Sequence, residues 1–291
     1  MTLVTRPKRL VACPTVVGLG AISLVRTQKN RYKMSMAAFL EIAHVGKSFG
    51  GLTALDEVSF TVQQSQVKSL IGPNGAGKTT LFNIVTGFQT PTSGTVRFCG
   101  TKIDGLKPHR IAEIGIARTF QNVKLFGNMT VLENVMMGCH IRTTAGLLAG
   151  ALRLPSARKE ARAVAQRSMQ LLEFVNLLDR AHEESGGLPF GLQRYLEIAR
   201  ALATEPQLLL LDEPASGLDP TESRDLGQLI LKIKDRGVTV LLVEHNMEVA
   251  MEISDEIIVL NYGKTLAEGT PRQIQNDPAV ISAYLGDESY A

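Results

Sequence analysis

Nine residues, Gly72 to Thr80, read GPNGAGKTT and fit the pattern GxxxxGK[ST]. Their setting makes them restrictive: Val67 to Ile71 is a compact apolar run of strand length before them, and Leu81 to Thr86 has helical spacing after them. Few folds satisfy that order, because the loop must leave the end of a buried strand and open a helix whose N-terminus faces a ligand. Gly72, Gly75 and Gly77 let the backbone curl, so that successive N–H groups face phosphate oxygens and the helix start adds its positive dipole end. The whole loop, Gly72, Pro73, Asn74, Gly75, Ala76, Gly77, Lys78, Thr79 and Thr80, is therefore the candidate cradle for the phosphates of a nucleotide such as ATP. Within it Lys78 neutralises β and γ oxygens, and the Thr79 hydroxyl is a ligand for Mg²⁺.

A second stretch, Leu188 to Asp219, supplies what the loop lacks. It reads LPFGLQRYLEIARALATEPQLLLLDEPASGLD. Leu208 to Leu211 form a strand buried in a sheet, and its end delivers Asp212 beside the phosphate loop, where the carboxylate can hold Mg²⁺ through water. Glu213, one residue on, points elsewhere and is the candidate to polarise a water for in-line attack on a γ-phosphate. Gln121, in RTFQNVKLF, stands where the chain leaves the core for a helical block and is a candidate contact for Mg²⁺ or the attacking water. His245, just past the apolar strand Val238 to Val243, is a candidate donor to the γ-phosphate. Phe49, before Gly50 and Gly51, either stacks on a base or belongs to the core.

The rest of the chain organises itself around these motifs. Phe39 to Ala43, Val58 to Val62 and Thr95 to Phe98 read as short strands ahead of and just after the loop. From about Thr130 to Arg180 the pattern is helical, with Ser156 to Leu178 the clearest helix and a small-residue interruption at Thr143 to Leu152. Strands at Leu208 to Leu211, Val238 to Val243 and Glu256 to Leu260 then alternate with helices at Thr221 to Arg236 and Met247 to Ser254. That alternation predicts an α/β fold with a parallel sheet. No internal repeat is visible.

With 291 residues, 44% hydrophobic and 20% charged, the chain can bury a substantial core. Its apolar runs fall far short of the roughly 18 to 20 residues that span a bilayer, so any membrane role is exercised from the surface. Cys13, Cys99 and Cys139 are scattered without metal or disulfide spacing and fit a reducing cytosol. The net charge of +3 misleads, because residues 1 to 35 hold seven of the 31 Lys and Arg and none of the 28 Asp and Glu. Beyond that leader, 24 basic residues face 28 acidic ones, and the basic pI carries no argument for nucleic acid. The leader itself, with an apolar middle broken by Pro14, reads as an over-extended gene start with Met34 or Met36 as initiator, a disordered tail, or a targeting sequence, in that order.

Taken together, GPNGAGKTT, Gln121, LPFGLQR, LLLLDEP, SGLD and His245 stand in the order and approximate spacing of the ATP-binding subunits of ABC transporters. The chain resembles that family from about residue 38 to the end. The resemblance implies a RecA-like P-loop NTPase core with a small antiparallel β subdomain and an inserted helical subdomain. Residues 36–291 would then be one ABC ATP-binding domain, with the helical part at about 122–195. It also implies a head-to-tail dimer with a second cassette, identical or different, in which each ATP lies between one subunit's P-loop and the other's signature. In those terms Asp212 is the magnesium residue, Glu213 the catalytic base, His245 the switch histidine, Asp219 the cross-dimer coupling residue and Phe49 the adenine-stacking aromatic.

A narrower likeness lies in GGLTALDEVSF, SLIGPNGAGKTTLFNIVTGF, ARTFQNVKLFGNMTVLENV, LEIARAL and EGTPRQIQNDPAVISAYLG. These resemble the subunits that energise high-affinity uptake of branched-chain amino acids, and related urea and amide importers share much of the pattern. The implied partners are transmembrane permease subunits and, indirectly, an external solute-binding protein, with the subunit peripheral at the cytoplasmic face of the inner membrane and no nucleic acid involved. Non-transport members acting in translation or DNA repair usually carry two cassettes or a long coiled-coil insertion, and this chain has neither. A regulatory module that binds ATP but depends on a partner cassette for hydrolysis is a third reading.

The family signature is commonly LSGGQ. Counting back from Arg200 places the local version at Leu188, Pro189, Phe190, Gly191 and Leu192, four residues after the look-alike Ser185, Gly186 and Gly187. Pro189 offers neither hydroxyl nor N–H. Leu188 and Gly191 remain the candidate contacts to a neighbour's ATP, with the Gly191 N–H and the helix dipole as the means. Losing one charge-assisted hydrogen bond of about 1.5 to 3 kcal/mol is expected to weaken ATP-driven closure without abolishing it.

Overall fold

The computed structural model describes residues 38–142 and 155–285, so the leader and the small-residue interruption lie outside the described residues. Two sheets organise them. The smaller is antiparallel in the order β2-β1-β4-β5, from β1 (Leu40–Phe49), β2 (Leu52–Val62), β4 (Ser93–Phe98) and β5 (Thr101–Lys102). The larger contains β3 (Val67–Ile71), β6 (Ile116–Arg118), β7 (Leu208–Asp212), β8 (Thr239–Val243), β9 (Glu256–Asn261) and β10 (Lys264–Gly269), in the order β10-β9-β3-β8-β7-β6. All its pairings are parallel except β10 on β9.

The central strands read as unbroken apolar runs because both faces of the large sheet are covered. In β7, Leu208 and Leu210 enter the core shared with the small sheet, while Leu209 and Leu211 enter the core shared with the helices. Neighbouring β8 divides the same way, Leu241 and Val243 to the first core and Val240 and Leu242 to the second. This two-fold alternation is the period of a strand expressed as packing. Lys68, fully buried in β3, is held by Thr61 O at 2.8 Å, by Glu256 at 3.0 Å and by Glu268, tying β3 to β2, β9 and β10.

Helix α1 (Lys78–Val85) follows the phosphate loop and α2 (Pro108–Glu113) precedes β6. Between β6 and β7 the chain forms α3 (Val131–Cys139), α4 (Pro155–Phe174) and α5 (Phe190–Leu202), and the only strand-like pairing described there is a single bridge, Thr130 to Glu184. Thr130 and Glu133 close a reciprocal capping box at the start of α3. Helices α6 (Pro220–Asp235) and α7 (Met247–Ile253) return to the large sheet, and α8 (Pro271–Gln275) and α9 (Pro278–Leu285) end the described chain. Among the described residues no helix is long and apolar enough to cross a membrane.

The three strands that sequence patterning missed have clear reasons. β5 is two residues long and β6 three, and β10 is a polar edge strand with no buried residue. β10 is set by its hairpin instead, where Tyr262 and Gly263 both take positive φ, 44° and 76°, as a two-residue primed turn requires.

Candidate nucleotide site

The phosphate loop begins where β3 ends. Gly72 has φ 152°, and a Cβ there would stand 2.1 Å from the Leu260 carbonyl oxygen of β9. Gly77, φ 101°, caps α1 with no side-chain bond to the helix, so the first-turn N–H groups stay available to an anion. A Cβ on Gly77 would also meet Ala54 O at 2.6 Å, so only glycine lets the loop lie on β2. From the other side Gly263 N–H donates to Ala76 O at 3.1 Å, bracing the loop with the β9–β10 hairpin. Lys78, 5% exposed, donates to Gly72 O at 2.7 Å and Pro73 O at 2.9 Å. Burial lowers its pKa, against the opposing pull of the Glu213 and Asp212 carboxylates. Asn74, Gly75 and Thr79 are exposed, while Pro73 and Thr80 are half-buried.

At the end of β7 the two acids part company. Asp212 Oδ2 accepts from Arg118 Nη2 at 2.7 Å, with both side chains buried. The same guanidinium reaches Asn83 Oδ1 on α1 at 2.7 Å and Thr86 Oγ1 at its C-cap at 3.2 Å, and lies 5.6 Å and 5.2 Å from the ring centroids of Phe82 and Phe120. Glu213 takes φ 49°, a left-handed conformation fixed by its N–H bond to Val243 O at 2.8 Å, and this turns its side chain away from that of Asp212. Its Oε2 accepts from Gln121 Nε2 at 2.8 Å, and its Oε1 lies 2.9 Å from His245 Nε2. Side chains from two other segments thus meet on one carboxylate.

Helix α5 fixes the backbone of that junction. Arg194, 3% exposed, donates to Phe120 O at 3.0 Å and Gln121 O at 2.6 Å, and Glu197 Oε1 accepts from Phe120 N at 3.2 Å. The two side chains pair at 3.7 Å, and burial lowers the Arg194 pKa and raises that of Glu197.

At the start of the same helix, Pro189 is the N-cap and makes no side-chain cap bond. Leu188 is 4% exposed, whereas Phe190 is 46% exposed, with Arg194 5.1 Å from its ring centroid. Gly191 is buried against α6, where a Cβ would stand 2.7 Å from Glu222 Oε1. Asp219 caps α6, its Oδ1 accepting from Thr221 N at 2.7 Å and Glu222 N at 2.8 Å. The look-alike Ser185 to Gly187 is a 3-10 turn instead of a helix start. Ser185, fully buried, donates to Phe126 O and accepts from Asn134 Nδ2, both at 3.0 Å.

Residues 55–216 match the family described as ABC transporter. The chain belongs to the ABC transporter family. Residues 264–290 of this cassette also match the family described as branched-chain amino acid ATP-binding cassette transporter. The cassette is 49% identical over 249 residues to the high-affinity branched-chain amino acid transport ATP-binding protein BraF of Pseudomonas aeruginosa, covering 85% of this chain and 98% of that protein. Among solved structures it resembles an ABC transporter cassette in its ADP conformation, at TM-score 0.75 and 34% identity, covering 86% of this chain and 99% of the other. A dimeric bacterial ABC transporter cassette matches at TM-score 0.69 and 27% identity, covering 80% and 99%.

Of the residues singled out by sequence, the fold joins Gln121, Glu213 and His245 directly and sets Asp212 and Lys78 beside them. Phe49 ends the hairpin whose β2 arm carries the loop contact at Ala54; it is 44% exposed, with Lys47 Nζ 5.0 Å from its ring centroid. Leu188, Gly191 and Asp219 of the cassette pack or cap locally instead of joining that cluster. Sequence reasoning missed Arg118, Arg194 and Glu197. The i,i+3 placement of Arg194 and Glu197 in an otherwise apolar helix face was the available signal for the last two.

Proposed function

We propose that this cassette binds ATP and Mg²⁺ on its phosphate loop, hydrolyses ATP when paired with a second cassette, and energises import of branched-chain amino acids through permease subunits. The observation that carries the hydrolysis is Glu213 held between Gln121 and His245 at the mouth of the loop that bears Lys78. Glu213 is the base that takes a proton from the attacking water, and His245 and Gln121 hold its carboxylate and orient the water. Lys78, released from the loop carbonyls, neutralises the β and γ oxygens.

The oxygen donors near the loop are few and hard, the exposed Thr79 hydroxyl, the Gln121 amide oxygen and the Asp212 carboxylate, whose Oδ2 is shared with Arg118; such a set suits an ion that keeps several of its waters. Bound Mg²⁺ would supply charge neutralisation at the β and γ oxygens. The domain plan follows the same reading: residues 36–291 form the ATP-binding domain, with about 122–195 as its helical subdomain.

Coupling to the permease is assigned to a groove of about 480 Å³ between the core and α3 and α5, lined by Phe88, Phe120, Lys124, Phe126, Met137 and Arg200. Phe120 is next to Gln121, so a permease segment seated there adjoins the hydrolytic cluster. The cassette then works from the cytoplasmic face of the inner membrane, and an external solute-binding protein serves the permease. Support for the solute comes from the relatives' names and the match over residues 264–290.

Two measurements test this reading. Glu213→Gln is expected to lose Mg²⁺-dependent turnover and to accumulate as an ATP-bound dimer; normal turnover overturns the role of Glu213. Co-purification from membranes is expected to bring permeases that, reconstituted with the cassette, move leucine; recovery of ribosomes, or transport of urea or amides alone, overturns the assignment.

A further inference from the structure

Glu244, immediately before His245, is 2% exposed, and its side chain is spent on main-chain donors. Oε1 accepts from Ala215 N at 2.7 Å, and Oε2 accepts from His245 N at 3.0 Å and Asn246 N at 3.3 Å. Those donors belong to two different loops. Ala215 lies in the turn that carries the chain from Glu213 to the Asp219 cap of α6, a turn closed by Ser216 N on Glu213 O at 3.1 Å and Leu218 N on Ala215 O at 3.1 Å. His245 and Asn246 lie in the loop that opens α7, which Asn246 caps by accepting from Val249 N at 3.2 Å. One buried carboxylate therefore bolts the loop after Glu213 to the loop that bears His245.

We propose that Glu244 is a positioning residue for hydrolysis, which holds His245 within reach of Glu213 and transmits movement of the 214–219 turn to His245 when a second cassette docks. The inference rests on the roles given above to Glu213 and His245. A carboxylate suits the task because its two oxygens accept several N–H bonds at once, whereas an amide offers one acceptor oxygen and presents an NH₂ group to the remaining donors. Burial raises the Glu244 pKa, and the N–H groups of Ala215, Asn246 and His245 draw it back, as expected of a group kept for its hydrogen bonds. The strands beneath are held without Glu244, by the β7–β8 pairing through Asp212 and Val243 and by Glu213 N on Val243 O. Damage from its loss is local.

The experiment compares Glu244→Ala, Glu244→Gln and Glu213→Gln in the full chain, reading steady-state kcat and KM, binding of a fluorescent ATP analogue and thermal unfolding. Glu244→Ala is expected to lower kcat at least about tenfold while analogue affinity stays within about threefold, the pattern of an interaction that matters only in the transition state. Glu244→Gln is expected between it and wild type. A double Glu244→Ala/His245→Ala variant is expected to be no slower than the slower single variant, because the two residues act as one unit. Unchanged kcat in both Glu244 variants overturns the proposal. So does a loss of kcat matched by loss of affinity and thermal midpoint, or strict additivity in the double variant. Should Glu244→Ala fail to fold, Glu244→Gln alone decides between a selective loss of kcat and none. Normal turnover of Glu213→Gln overturns the underlying reading; inactive Glu213→Gln beside fully active Glu244 variants overturns only this inference.

Discussion

The loop after β3 and the start of α5 are both turns into helix N-termini without a side-chain cap, yet they present different chemistry. Gly77 enters its helix left-handed at φ 101°, curling the chain so that N–H groups and Lys78 share one concavity. Pro189 enters α5 extended, at φ −51° and ψ 148°, followed by an exposed Phe190 and no cation in the first turn. The first region carries its own charges, each with an internal partner in waiting: Lys78 on loop carbonyls, Asp212 on Arg118, Glu213 on Gln121 and His245. The second offers helix N–H groups and an aromatic face, which is half of a contact. On the function proposed above, the phosphate chemistry would reside in one subunit, and control over when it runs would fall to the apposition of two.

The sharpest way to break that contrast is Lys78→Ala, expected to reduce kcat by about 10²–10³ through lost electrostatic stabilisation. A steady-state ATPase assay showing an effect no larger than that of changes at the start of α5 would remove the distinction. Pro189→Ser supplies a hydroxyl at the N-cap of α5, where Pro189 offers none. The gain of a charge-assisted hydrogen bond of about 1.5 kcal/mol is expected to lower the ATP concentration for half-maximal dimerisation about tenfold, read by analytical ultracentrifugation of the Glu213→Gln background. No change there would mean that the N–H groups and Phe190 already suffice.

Asn134→Ala addresses the strut behind the signature, since Asn134 is fully buried and bonded to Ser185 and to the carbonyls of Phe126 and Thr130. Denaturant titration is expected to show a loss of about 1–3 kcal/mol. Asp219→Ala is the mildest, costing about 1 kcal/mol for a lost helix cap in the lone subunit. A larger effect on dimer turnover than on monomer stability would give Asp219 its second, cross-subunit role.

Legibility followed sequence distance. The phosphate loop is contiguous, and the end of β7 is announced by four leucines, so Lys78, Asp212 and Glu213 could be placed from letters alone. Arg118 could not: its strand is three residues long, and its partners Asn83, Thr86 and Asp212 lie 35, 32 and 94 positions away. Glu244 is similarly hidden, because what it binds is backbone and leaves no mark on the partner's identity. β10 escaped because an edge strand has no buried face to impose alternation. Counting back from Arg200 leads to residues 188–192, where α5 begins, whereas the work of Ser185 leaves no such mark, since its partner Asn134 is 51 residues upstream.

The four leucines of β7 carry a genetic consequence. Because alternate members serve opposite cores, conservative missense changes among aliphatic residues at Leu208 to Leu211 should be absorbed by local repacking. Loss of a single codon from the run is another matter: the leucines upstream of the lesion exchange faces, or the acid pair retreats by one position from the phosphate loop. A tract that looks redundant as spelling has no spare letter.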